Sequence, residues 1–243
     1  MKLYGRNPIL ERLKANPKSI QKILLEENHR DEGLIRHKAR EFKIPIISVA
    51  PARMSKMTHH TNAQGVLAEV EDFAYAEYEG LVEQALKTKQ TLLFLDNLND
   101  PQNLGAIIRS AAALGGFAIV LPSHDSVEVT EAVLRVASGA DSYVPISKVQ
   151  NLSRALESAK KSGFWVGGAV VENGKSLYET PLPFPFSLVI GSEQKGIREG
   201  LRKHLDILLT IPASSRLPLN VAAAAAIFCY EISRQKNEIK NKK

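Results

Sequence analysis

Three short stretches hold side chains whose types and spacing can do chemistry. Asp96–Arg109, DNLNDPQNLGAIIR, delivers Asn103, Gly105 and Arg109 onto the start of a helix that follows a predicted strand. Gly191–Gly196, GSEQKG, sets Glu193 between two glycines. Ile211–Ile227, IPASSRLPLNVAAAAAI, leaves a strand, passes two prolines and enters an alanine-rich helix, with Asn220 as its predicted N-cap. Glycine lets backbone pass close to a ligand, and arginine aims a fixed fork of donors at an anion or an oxygen. The small residues Val221–Ala226 let another backbone or a flat ligand come near. No G-x-G-x-x-G follows the first strand of this region, and neither a P-loop nor a G-x-S-x-G elbow occurs. What remains is a ligand gripped by loop backbone, with Asn103, Arg109, Glu193 and Asn220 as the polar groups around it.

Those loops need strands to carry them. From Thr91 onward strands alternate with helices: strands at Thr91–Leu95, Phe117–Leu121, Tyr143–Ile146, Phe164–Val171, Ser187–Ile190 and Ile207–Ile211. Helices are expected from about Leu104 to Leu114, across Glu131–Ala137, at Leu152–Lys161 and from Val221 toward Lys236. Such alternation predicts an α/β fold, a mostly parallel sheet with helices on both faces and ligands at the carboxyl ends of its strands. Residues 1–71 read as a separate small α/β unit: a helix starting at Asn7-Pro8, strands at Lys22–Leu25, Ile44–Val49 and Val66–Val70, and a helix at Asp31–Phe42. The stretch Glu71–Gln90, with its short stripe of Leu81, Val82, Ala85 and Leu86, is expected to be the linker.

At 243 residues, 44% apolar and 24% charged, the chain suits one or two soluble globular domains. No apolar run approaches the ~20 residues that span a bilayer, and MKLYGRNPIL has no signal-peptide core. The single cysteine, Cys229, excludes an internal disulfide and fits a reducing cytoplasm; its apolar helical setting predicts a buried thiol. Residues 1–71 carry thirteen Lys and Arg against eight Asp and Glu, nearly all of the +6 net charge. A basic front end on a near-neutral body points to an anionic partner held by the first unit. His59-His60-Thr61-Asn62-Ala63-Gln64-Gly65 reads as a polar loop suited to touching RNA, and its paired histidines lack the ligand spacing of a metal site.

Taken in order, Asn103-Leu104-Gly105-Ala106-Ile107-Ile108-Arg109, Gly191-Ser192-Glu193-Gln194-Lys195-Gly196, and Ile211-Pro212 with Leu219-Asn220-Val221 resemble the three motifs of the SpoU/TrmH branch of the SPOUT RNA methyltransferases. Tyr4-Gly5-Arg6-Asn7, Gln64-Gly65, Ser138-Gly139-Ala140, Asn151-Leu152 and Leu177-Tyr178-Glu179 extend the likeness over nearly the whole chain, toward RlmB-type 23S rRNA guanosine 2′-O-methyltransferases. The resemblance implies a SPOUT methyltransferase domain at 91–243 with a C-terminal trefoil knot, an RNA-binding domain at 1–71 and a linker at 72–90. It implies S-adenosylmethionine as cofactor, held mainly by backbone around Gly191, Ile211 and Leu219, with Leu121 and Pro218 as neighbours. It also implies a homodimer whose last helices pack near the active sites; with the cysteine usage and the lack of metal-ligand spacing, the expectation is a cytoplasmic enzyme with no metal.

The chemistry expected of that family is methyl transfer to a ribose 2′-hydroxyl, which must be aligned with the methyl while negative charge on oxygen is stabilised. Arg109 stays protonated at any working pH, so it is read as the electrostatic orienter of hydroxyl and phosphate. Asn103, Glu193 and Asn220 are expected to fix Arg109 and the ribose by hydrogen bonds. The chain departs from many relatives at Pro218 and Ala222, where the third motif often has serine, and its 211–219 loop is one residue shorter; any hydroxyl role there is either lost or supplied by Ser214 or Ser215. The reading is a 23S rRNA guanosine 2′-O-methyltransferase. The alternatives are a tRNA 2′-O-methyltransferase and a non-catalytic RNA-binding or ribosome-assembly protein of the same fold.

Overall fold

A computed structural model describes residues 1–58, 63–214 and 217–241. The loop residues His59–Asn62 and the alternative hydroxyl of Ser215 lie outside the described residues. The chain divides into two compact units, one of Met1–Ala74 with Glu128–Tyr143 and one of Tyr75–Val127 with Val144–Lys243.

The first unit is built on a four-stranded sheet in the order β1-β4-β2-β3: β1 (Lys2–Tyr4), β2 (Ile20–Glu26), β3 (Ile46–Val49) and β4 (Val66–Val70). β4 pairs antiparallel with β1 and β2, and β2 pairs parallel with β3. Helices α1 (Arg6–Ala15), α2 (Glu32–Glu41) and α3 (Pro51–Thr58) connect the strands. Asn7 is not the N-cap of α1. Gly5, at φ +93°, precedes the helix, and the Asn7 side chain accepts a bond from Arg6 Nη1 at 3.0 Å instead.

A stretch from the middle of the chain completes this unit. Helix α6 (Glu131–Ala137) and the turn after it belong to the first unit. Glu131 Oε1 accepts from the Lys2 amide at 2.6 Å, and Tyr143 Oη donates to Glu11 Oε2 at 2.8 Å. Arg12 and Asp141 form a buried ion pair. Gly139, at φ +88°, passes so close to α1 that a Cβ there would lie 2.6 Å from the Glu11 Cβ. The strand expected at Tyr143–Ile146 therefore starts only at Ile146, because the residues before it are held by α1.

The second unit holds a seven-stranded sheet in the order β7-β6-β5-β10-β8-β11-β9, with every pair parallel. The strands are β5 (Thr91–Leu95), β6 (Phe117–Pro122), β7 (Ile146–Val149), β8 (Trp165–Ala169), β9 (Lys175–Ser176), β10 (Phe186–Ile190) and β11 (Ile207–Thr210). β5 and β10 are buried at every position, so both are mostly apolar rather than alternating, with only Thr91 and Ser187 polar. The helices are α4 (Tyr78–Thr88), α5 (Pro101–Leu114), α7 (Leu152–Lys161), α8 (Glu199–Arg202) and α9 (Val221–Asn241). α5 begins with Asp100 accepting from the Gln102 amide at 2.8 Å and Pro101 in its first turn, and α7 with Asn151 accepting from the Arg154 amide at 3.1 Å.

The expected linker at 72–90 is corrected by α4. Tyr78, Leu81, Val82 and Ala85 lie in one core with Phe94, Leu156 and Val189, and Tyr78 Oη donates to the Ala155 carbonyl at 2.6 Å. That apolar stripe is the inner face of a structural helix of the second unit. Cys229 is buried, as its setting implies, and burial pushes its thiol up to about 12. Among the described residues no helix is long and apolar enough to cross a membrane.

Candidate active site

The three motif stretches follow the carboxyl ends of β5, β10 and β11, and one carboxylate oxygen ties them together. Glu193 Oε1 accepts from Asn103 Nδ2 at 3.3 Å, from Asn220 Nδ2 at 2.7 Å and from the Val221 amide at 3.2 Å. Asn220 Nδ2 also donates to Asn103 Oδ1 at 3.0 Å. Its own Oδ1 caps α9, accepting from the amides of Ala222 at 2.9 Å and Ala223 at 3.3 Å, as the sequence predicts. Those amide donors settle which end of the Asn220 side chain is oxygen. A carboxylate at the start of a 21-residue helix is further favoured by the helix dipole.

This arrangement separates holders from working groups. Both hydrogens and the oxygen of the Asn220 side chain are occupied, so it positions its neighbours and has no donor left for a ribose. Glu193 Oε2 and the second Nδ2 hydrogen of Asn103 have no partner among the described residues. Arg109 stands apart from the cluster. It lies six residues beyond Asn103, roughly 9 Å along the axis of α5. It is exposed and makes no hydrogen bond or ion pair among the described residues. Among the described residues Asn103, Glu193 and Asn220 bond one another, and none of them bonds Arg109.

A cavity of about 730 Å³ opens beside the cluster. Gly191, Ile211 and Leu219 all line it, with Pro218 and Phe228, whereas Leu121 and Ser214 do not. Gly191 is required by close approach: a Cβ there would lie 2.1 Å from the Gly196 carbonyl carbon and 2.3 Å from the Ile197 nitrogen. The loop doubles back at that point, with the Gly196 amide donating to the Ser192 carbonyl at 2.8 Å. The volume is that of a nucleoside-sized ligand site. Apolar walls and bare loop backbone suit an adenine ring with a thioether-like arm, so these residues fit S-adenosylmethionine. Pro218 contributes ring surface where a serine would contribute a donor.

Asp96, at the end of β5, is a residue whose role the sequence did not disclose. It is fully buried, and its Oδ1 accepts from Arg198 Nε at 2.7 Å while Oδ2 accepts from the Arg198 amide at 2.9 Å. This pair fixes the loop after β10 against the loop after β5. The available signal was an acidic residue directly after four buried apolar ones, Leu92–Leu95. In the first unit, the loops singled out by sequence do converge: the Arg6 amide donates to Gln64 Oε1 at 3.3 Å, and Arg6 Nε bonds Asp31 Oδ2 at 2.5 Å. That bond to Arg6 is the main reason the Asp31 carboxyl sits below its usual range.

Comparison with known proteins agrees with this geometry. The SpoU rRNA Methylase family model matches residues 90–230, and a model described as RNA 2′-O ribose methyltransferase substrate binding matches residues 2–76. The 23S rRNA (guanosine-2′-O-)-methyltransferase RlmB of Nitrosomonas europaea is 36% identical over 240 residues, 97% of this chain and 92% of that protein. A tRNA/rRNA methyltransferase of Synechocystis, slr0955, described as uncharacterized, is 38% identical over 96% of this chain, which spans 62% of its length. The fold matches that of the SpoU methyltransferase AviRb from Streptomyces viridochromogenes, solved in complex with AdoMet: TM-score 0.78 and 23% identity, covering 98% of this chain and 90% of that one. The chain belongs to the SpoU rRNA methylase family.

Proposed function

We propose that this protein transfers the methyl group of S-adenosylmethionine to the 2′-hydroxyl of a guanosine ribose in 23S rRNA. The observation that carries this reading is the Glu193 oxygen that joins all three motif stretches beside the cavity lined by Gly191, Ile211 and Leu219. The cofactor supplies a methyl already activated on a sulfonium. The chain's own task is to align the hydroxyl and stabilise charge on its oxygen. Arg109, exposed and without a side-chain partner among the described residues, orients the hydroxyl and a neighbouring phosphate with its fork of donors. Asn103 offers its spare amide hydrogen, and Glu193 Oε2 is an acceptor for the hydroxyl proton. Asn220 holds both.

The RlmB relative and the match of residues 2–76 to a substrate-binding model support rRNA over tRNA. The basic surplus of residues 1–71 suits that binding role. The C-terminal knot and a cytoplasmic homodimer are part of the reading. α9 leaves Ala223, Ile227 and Tyr230 exposed at helical spacing, with Leu217 and Leu219 exposed just before it, an apolar surface for a second copy to cover. Labelled methyl transfer to unmodified 23S rRNA and, separately, to unmodified tRNA tests the proposal. Label in a 23S ribose supports it, label only in tRNA overturns the substrate, and label in neither favours the non-catalytic alternative.

Glu193→Ala is expected to weaken the cofactor's binding as well as the rate. Three donors lose their common acceptor, and the 191–196 loop is freed from α5 and α9. Isothermal titration should read about a tenfold rise in the Kd for S-adenosylmethionine, the size expected for one charged hydrogen-bond acceptor.

A further inference from the structure

A second cavity, of about 380 Å³, is lined by Arg198, Gly200 and Leu201 of the same segment whose Gly191, Ile197 and Arg202 line the cofactor cavity, and the reading above gives it no task. Pro122, Leu152 and Leu201 are the apolar residues of its mixed lining. Its polar residues include His124, Gln150 and Arg198. The two bonds from Asp96 hold Arg198 by its amide and Nε, which leaves both terminal guanidinium nitrogens without a partner among the described residues. His124 and Gln150 are likewise unpartnered there.

We propose that this cavity binds a nucleotide of the RNA substrate other than the one methylated, its base on those apolar residues and its phosphate on Arg198. Single-stranded RNA is read by splaying a base onto an apolar, imidazole or guanidinium surface and bonding its edge to amide side chains, which is the set gathered here. The cavity is too large for a lone phosphate, and Asp125 in its lining disfavours a bare polyanion while accepting from a base amino group. Arg198 is preset by a fully buried carboxylate, so little side-chain entropy is lost on binding. Ile197 lines the cofactor cavity and Arg198 this one, so a nucleotide here rests against the same loop that holds the reaction site.

This inference rests on the RNA-methyltransferase reading, and its test separates the two. The full-length chain and a His124→Ala/Gln150→Ala variant are compared by methyl transfer to unmodified 23S rRNA transcript and by filter binding to the same transcript. Both side chains are exposed and make no bonds among the described residues, so the fold is retained; an unchanged Kd for S-adenosylmethionine checks this. The loss is expected in KM rather than kcat, about tenfold, with an equal loss of affinity in filter binding. Gln150→Glu should weaken binding more than Gln150→Ala, because it adds a charge facing phosphate. Equal affinity of variant and wild type overturns the nucleotide site. Wild type that binds without transferring methyl overturns the function while binding still decides the cavity, and wild type that does not bind overturns both.

Discussion

Arg109→Ala is expected to lower methyl transfer by about a hundredfold to a thousandfold, the usual cost of removing one donor aimed at developing negative charge. The structure explains why that loss should be clean. Arg109 is exposed, bonds nothing among the described residues and does not line the cofactor cavity. Stability should stay within about 0.5 kcal/mol, as for other surface substitutions. The Kd for S-adenosylmethionine should match wild type, so kcat falls while cofactor binding holds. Arg109→Lys keeps the charge but not the planar fork and should recover only part of the rate. Full activity in the alanine variant would remove Arg109 from the mechanism.

The second large effect is on stability. Arg12→Ala leaves Asp141 as an unpaired carboxylate with no exposed side-chain surface, at a cost of about 3–5 kcal/mol. Burial already pushes the Asp141 carboxyl above its ordinary value, against the pull of Arg12. A carboxyl raised in the folded state is tolerated best when protonated. The deficit of Arg12→Ala, read by denaturant unfolding, should therefore shrink as pH falls through that raised value and grow as pH rises above it. Arg12→Met combined with Asp141→Leu should regain most of the loss, because a well-packed apolar pair replaces a buried ion pair at little cost. A deficit independent of pH would show that Asp141 is not the group left unpaired.

The parts of the fold legible in the sequence are those fixed by local chemistry. β5, α6 and α7 have the bounds read from apolar runs and helix spacing, and Asn220 caps α9 as its type suggests. The parts that were not legible depend on distant partners. β1 and β9, of three and two residues, are too short for any periodicity to show. The turn at 140–142 is held by Arg12, 129 residues before Asp141, so nothing near Tyr143 announces that the strand must wait until Ile146. α4 looked like a linker because its stripe is brief, yet that stripe meets a core assembled from six other elements. At the site, residue types and order gave Asn103, Glu193 and Asn220. That one oxygen would serve three donors, leaving Arg109 outside, is a matter of side-chain geometry that spacing does not encode.

The ion pair of Arg12 with Asp141 and the close passage of Gly139 by α1 also set an order of events during synthesis. The first unit cannot close when residue 74 leaves the ribosome, since its remaining helix and turn are not yet made. Residues 75–127 come first, and at about 5–20 residues per second they take roughly 3–10 s. Through that interval the sheet β1-β4-β2-β3 waits with the surface that α6 covers still open. The nascent chain thus starts its second sheet before the first unit is complete, and the first unit can close once residue 143 is made, while residues 144–243 of the second are still to come.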